Sequence, residues 1–159
     1  DHAGYFAELV DEWALEGDPS ERLFRLGAAV IGALAADTPV EPVARYFEYW
    51  LLRLQGVYPS VMRCDRCSAE LDSRGAQVCT PYGDCVCQDC GSADGGTDLS
   101  PEALGFLRRA ATTSPEDLGA VTLTPRAARE LMVAHRLLIT ANLDKELRSL
   151  RVLSELTGR

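Results

Sequence analysis

Cys64-Asp65-Arg66-Cys67 and Cys87-Gln88-Asp89-Cys90 stand with 19 residues between them in a chain of 159. The spacing matches the pattern of a four-thiolate zinc site, two C-x2-C pairs separated by about fifteen to twenty residues. A C-x-x-C turn brings two sulfurs to one metal and points nearby backbone N–H groups towards them. Two such turns close a tetrahedron, which suits one structural Zn2+ with no open coordination position. Cys64, Cys67, Cys87 and Cys90 are therefore the expected ligands. The alternative is two disulfides, or free thiols in a small core. Disulfides need an oxidising compartment. No signal-peptide pattern is read at the start, so a reducing, cytoplasmic setting is the expectation.

Two further cysteines, Cys79 and Cys85, lie between the pairs. Residues i and i+2 of a strand share a face, so Cys85 competes with Cys87 for the third ligand position. The C-x-x-C turn favours Cys87. Cys79 and Cys85 then read as small packed side chains, with a thiol-redox role as the alternative. Asp65, Arg66 and Asp89, inside the knuckles, read as solvated turn residues.

Residues 77–80 and 84–87 flank Pro81-Tyr82-Gly83 and predict a short β-hairpin. Paired strands of this kind are marginal alone, and metal binding would supply the missing folding free energy. Residues 91–98, rich in Gly and Asp, predict a flexible exit.

On either side the pattern is helical. Tyr5, Phe6, Leu9, Val10 and Trp13 recur at helical spacing before Gly17. Asp18-Pro19-Ser20-Glu21 predicts a second helix start, burying Leu23, Leu26, Val30, Ile31 and Leu34. Thr38-Pro39-Val40-Glu41 repeats that signal, with Thr38 as the expected cap. The stripe Val43, Tyr46, Phe47, Trp50, Leu51 and Leu54 follows, read as core rather than as a base-stacking platform, and Gly56 stops it. After the cysteines, Ser100-Pro101 starts a helix with Leu104, Leu107 and Ala111, and Leu99 is placed to staple onto Leu104. Ser114-Pro115 opens a short helical turn. Thr124-Pro125 opens a longer helix with Leu131, Ala134, Leu137, Leu138 and Ala141. Residues 142–145 predict a break, before a last helix with Leu147, Leu150, Val152, Leu153 and Leu156. The expected fold class is mainly α. A helical bundle, residues 1–61 and 99–159, is interrupted by a small four-cysteine zinc-ribbon-like β insertion, residues 62–98.

Composition is ordinary for a globular chain, 47% hydrophobic and 25% charged. No run of about 18 apolar residues is present, so no membrane span is expected. Residue 1 is Asp, and Met62 and Met132 are the two methionines, which leads us to expect the back part of a longer protein. Net charge is −8, unevenly spread. Residues 1–61 hold four basic and ten acidic groups, residues 62–98 three and seven, residues 99–159 nine and seven. An acidic chain repels phosphate backbones at long range. Only the last third offers a basic face, through Arg126, Arg129, Arg148 and Arg151 as candidate nucleic-acid or partner contacts; the plainer reading of each is a solvated helix face.

No catalytic set emerges, and an enzyme is not expected. The two histidines are His2 and His135, and a lone helical histidine is usually a surface or satisfied core residue. No Gly-rich phosphate loop, H-E-x-x-H or G-x-S-x-G occurs. A four-cysteine zinc has no position for a water nucleophile.

The order Tyr46-Phe47-Glu48-Tyr49-Trp50-Leu51-Leu52-Arg53-Leu54-Gln55-Gly56-Val57-Tyr58-Pro59, followed by the cysteine pairs, resembles the C-terminal part of the RecO family of bacterial recombination mediators. The likeness continues through Leu99-Ser100-Pro101-Glu102-Ala103-Leu104 and resumes over residues 143–153, with Leu147-Arg148-Ser149 where the family has Leu-Lys-Ser. Val57 stands in place of a family Tyr, and Asp144 in place of a usual Gly, so the bend there is expected to differ. The resemblance implies a helical domain with a zinc-ribbon-like insertion, preceded in the family by an OB-fold that binds DNA and is absent from this chain. It implies strand annealing, association with RecR, and loading of RecA onto DNA coated by single-strand-binding protein. It also implies a bacterial, nucleoid-associated location and a metal that is structural, held by Cys64, Cys67, Cys87 and Cys90. A thiol-redox enzyme and a zinc-ribbon transcription adaptor are the competing functions.

Overall fold

The computed structural model describes residues 21–58, 61–71, 73–80, 83–91 and 95–156, with the side chains of 145–147 and 149–156 outside that description. The helix expected over residues 4–15 and the capping sequence before Glu21 also lie outside the described residues.

Helices α1 (Glu21–Ala35) and α2 (Val40–Leu54) pack against each other. The turn between them is closed by α1. Thr38 N–H reaches back to the Ala33 carbonyl (3.0 Å) and Asp37 N–H to that of Leu34 (3.2 Å), with Asp37 at φ +61. This is a Schellman arrangement, in which a short polar residue tolerates the left-handed conformation. It corrects the expected role of Thr38. Its backbone finishes α1, and Pro39 is the N-cap of α2, with no side-chain cap bond. Gly56, at φ +70, ends α2 by the same device, as its sequence position predicts.

In α1, Leu23, Leu26 and Val30 are buried as expected, joined by Ala33, but Ile31 is 66% exposed. Helix α2 is buried well beyond one stripe. Tyr46, Phe47 and Leu51 are core, and so are Tyr49, Leu52, Arg45 and Glu48. Trp50 is half-buried and its indole N–H donates to the Ala110 carbonyl (3.1 Å).

The insertion holds an antiparallel sheet of β1 (Ala76–Cys79), β2 (Asp84–Cys87) and β3 (Gly96–Leu99), in the order β2-β1-β3. The β1–β2 hairpin follows the expected pattern, with Val78 opposite Cys85 and Ala76 opposite Cys87. The third strand corrects the expected flexible exit: residues 96–98 pair with β1, Thr97 opposite Val78. Through β3 the sheet packs on α3 (Pro101–Ala110) and α4 (Pro125–Leu156).

Helix α3 starts as read. Ser100 Oγ accepts from Ala103 N–H (3.3 Å), and Pro101 takes the first helical position. The Ser114-Pro115 turn is a short 3-10 helix, Pro115–Ala120. Ser114 does not cap it; its hydroxyl donates to Asp117 (2.8 Å). Thr124 caps α4 by accepting from Ala127 N–H (3.2 Å). The expected break at residues 142–145 is absent, and α4 runs unbroken for 32 residues. Asn142 is a weaker helix former than Ala by only a fraction of a kcal/mol, too little to interrupt a helix anchored by the buried Leu131, Ala134 and Leu138. Leu131, Ala134 and Leu138 of α4 are buried, but Leu137 is 47% exposed. Mainly helical, with a small β insertion carrying the cysteines, the fold has one hydrophobic core running from Leu23 to Ile139 through both parts.

Candidate metal centre

The sulfurs of Cys64, Cys67, Cys87 and Cys90 all lie within 4.8 Å of one another. Cys67 and Cys87 Sγ are 3.7 Å apart. A regular tetrahedron with metal–sulfur bonds of about 2.3 Å has edges of about 3.8 Å. The four sulfurs therefore fit a four-coordinate cation with soft ligands.

Local backbone explains the gathering. In the first knuckle Ser68 N–H bonds the Cys64 carbonyl (2.9 Å) and Cys64 N–H the Ala69 carbonyl (2.8 Å), with Ser68 at φ +62. Arg66 N–H points at Cys64 Sγ (3.4 Å). In the second, Cys90 and Gly91 N–H both turn back to the Cys87 carbonyl (3.1 and 2.9 Å). Cys85 shares a sheet face with Cys87 but stays out of the cluster. It is fully buried, and burial above all pushes its thiol up to about 12. Cys79 is also buried, and register puts it on the opposite face from Cys85. All six cysteines are unbridged.

Electrostatics in the cluster are divided. Burial pushes the Cys64 thiol up, but hydrogen bonding from the backbone at Cys67, Cys87 and Arg66 outweighs this and brings it down to about 6. Hydrogen bonding to the Cys67 and Cys87 sulfurs holds Cys90 up at about 12. One thiolate is thus easy and further ones are costly, which a bound cation relieves by binding thiolates directly.

Asp65, Arg66 and Asp89 are exposed, as read, and each also makes hydrogen bonds beyond its own turn. Asp65 N–H donates to the Cys85 carbonyl (2.9 Å), and its carboxylate accepts from Cys85 N–H (2.7 Å). Arg66 donates to the Cys90 carbonyl across the cluster (2.6 Å). Asp89 takes two hydrogen bonds from Arg74 (3.2 and 2.8 Å), which hold its carboxyl below the usual range.

Among the described side chains, Arg126 and Arg129 stand one turn apart on α4 and Arg148 lies well beyond them. Arg126 is paired with Glu130 (2.9 Å). Arg129 and Arg148 are exposed and lie about 28 Å apart along α4 at 1.5 Å rise per residue. The Arg151 side chain lies outside the described residues. Arg136, which the sequence reading passed over, is exposed seven residues beyond Arg129 and so lies on the same helix face.

His135, read as a lone helical residue, is fully buried with Nδ1 3.0 Å from the Glu48 carboxylate. Glu48 in turn lies 3.2 Å from Arg45. Nothing in a single stretch of sequence signals this group, because His135 lies on α4 and Arg45 and Glu48 on α2. Among the described residues no helix is long and apolar enough to cross a membrane.

A family model described as "Recombination protein O C terminal" matches residues 2–151. The DNA repair protein RecO of Geobacter metallireducens is 33% identical over 154 residues, covering 97% of this chain and 62% of that protein. That of Pelobacter propionicus is 40% identical over 106 residues, covering 67% of this chain and 42% of that protein. That of Anaeromyxobacter sp. strain K is 31% identical over 157 residues, covering 97% and 61%. The chain thus spans about three fifths of the length of the relatives it matches over nearly all its residues. It belongs to the recombination protein O C-terminal family.

Proposed function

We propose that this chain is the helical, zinc-stiffened part of a recombination mediator acting in DNA repair. The observation that carries the reading is the family match over residues 2–151. In this reading the protein has no catalytic turnover. It associates with RecR, anneals strands coated by single-strand-binding protein and assists loading of RecA. DNA binding resides mainly in a preceding OB-fold domain, because an acidic fragment with scattered arginines is a weak electrostatic match to phosphate. Arg126, Arg129, Arg148 and Arg151 are at most auxiliary contacts. Cys64, Cys67, Cys87 and Cys90 hold one structural Zn2+, supported by the sulfur spacing that suits a tetrahedral site. Bound zinc supplies folding free energy and no open coordination position, so the chain's own residues do the docking.

The alternative is a thiol-redox enzyme using Cys79, Cys85 and the knuckle cysteines as exchangeable sulfurs. Cys79 and Cys85 face away from one another across the sheet, while the knuckle sulfurs lie close together, so measurement of metal content separates the two readings. The test is annealing of complementary strands coated by single-strand-binding protein, using the full-length protein with and without RecR. Accelerated annealing and co-elution with RecR are expected. Catalysed disulfide exchange in the absence of either would overturn the proposal.

A further inference from the structure

Asp65 and Arg66 occupy the two positions between the first pair of cysteines, and both reach out of their own turn. Asp65 grips one residue of β2 twice, through its backbone N–H to the Cys85 carbonyl (2.9 Å) and its carboxylate from Cys85 N–H (2.7 Å). Cys85 lies two residues before Cys87. Arg66 crosses to the other knuckle and donates to the Cys90 carbonyl (2.6 Å). The first turn is therefore tied to the residues leading into Cys87 and to Cys90 itself.

We propose that Asp65 and Arg66 are positioning residues of the cysteine cluster, holding the two knuckles in register so that four sulfurs converge on one cation. This rests on reading the cluster as a metal site. Without these side chains each knuckle keeps its own turn and the Asp65 N–H to Cys85 carbonyl bond remains, but the turns are held less tightly to one another and more ordering is left to metal binding. Partners that orient ligands in this way typically change metal affinity by 10–100-fold when removed.

Charge and geometry predict opposite signs at Asp65. Four thiolates around a divalent cation carry a net negative charge, so a neighbouring carboxylate disfavours the loaded site electrostatically. On charge alone, Asp65→Ala should bind metal as well or more tightly. If Asp65 works as a hydrogen-bond acceptor, Asp65→Ala should bind more weakly, and Asp65→Asn, which keeps an acceptor oxygen, should recover most of the loss.

The experiment uses the 159-residue chain and two probes, Zn2+ in competition with a chromophoric chelator and Co2+ as a spectroscopic substitute. The unaltered chain should bind one metal ion, with a tetrahedral thiolate spectrum for cobalt that Cys64→Ser and Cys87→Ser abolish. Failure of that first arm sinks the metal reading itself. Given success, Asp65→Ala and Arg66→Ala should each weaken zinc binding about 10–100-fold, and Asp65→Asn should lie within about threefold of the unaltered chain. Arg25→Ala, which removes an exposed positive charge on α1, should leave zinc binding unchanged. Should Asp65→Ala fail to fold by circular dichroism, Asp65→Asn and Arg66→Ala carry the test. Unchanged or tighter binding by Arg66→Ala or Asp65→Ala, or an Asp65→Asn variant as weak as Asp65→Ala, overturns the proposal while leaving the metal site standing.

Discussion

His135 Nδ1 lies 3.0 Å from the Glu48 carboxylate, and both side chains are fully buried. Helix α4 thereby meets α2 through a polar contact inside an apolar core. The Arg45 guanidinium, almost as buried, lies 3.2 Å from the other Glu48 oxygen. The Tyr58 ring meets the imidazole edge-on at 5.3 Å, and burial pushes the Tyr58 hydroxyl well above its usual value. Glu48 is thus the hinge of a buried group that spans the bundle.

Glu48→Ala should leave the buried Arg45 with Glu41 alone, 3.7 Å away, and cost about 3 kcal/mol, the lower end of the usual penalty for breaking a buried pair. His135→Ala should cost less from the charge term but leave a cavity. Urea denaturation followed by circular dichroism measures both. A Glu48→Ala loss below about 1 kcal/mol would show that water reaches the group in solution, contrary to its burial here.

Metal removal should unfold the insertion. One zinc per chain is expected, lost with the insertion's structure on strong chelation or on Cys64→Ser or Cys87→Ser. Cys79→Ser and Cys85→Ser should leave the stoichiometry at one, because neither sulfur lies in the cluster. Elemental analysis of the purified variants decides this, and a Cys85→Ser chain without zinc would reassign the third ligand.

Arg108 of α3 donates to the Leu71 carbonyl and so ties the insertion to the bundle. Arg108→Ala should destabilise the chain by about 1–3 kcal/mol and should reduce hydrogen-exchange protection in β3 more than in α1. Equal loss in both would mean that the two parts unfold as a single unit.

Glu130 links α4 to the sheet by accepting from Ser100 N–H (2.8 Å) and from Arg126 (2.9 Å). Burial pushes its carboxyl up, but these hydrogen bonds and the Arg126 charge outweigh it, so the folded value lies below the usual carboxylate value. The group therefore adds stability that is complete above its unfolded value and is lost as pH falls through the lower folded value. Glu130→Gln should remove part of the acid dependence of stability and leave the slope above neutral pH unchanged. Denaturation midpoints at pH 3.5, 5 and 7, as about three points along that limb, give the comparison.

Residue spacing alone indicated the two knuckles, the hairpin between them, the caps at Ser100 and Thr124, and the stop at Gly56, since each depends on chemistry within a few residues. Tertiary packing decided the rest. Strand β3 is held by backbone pairing to β1, and backbone donors look alike in every sequence, so a Gly- and Asp-rich stretch read as a loop. Nothing in the sequence pairs Glu48 and Arg45 with His135, which read as a surface or satisfied core residue, until α2 and α4 pack together. Asp65 and Arg66 act on Cys85 and Cys90, more than eighteen residues further on. Local composition sets which turns and helices can form; which polar groups are left without water, and must find each other, follows only from how those elements pack.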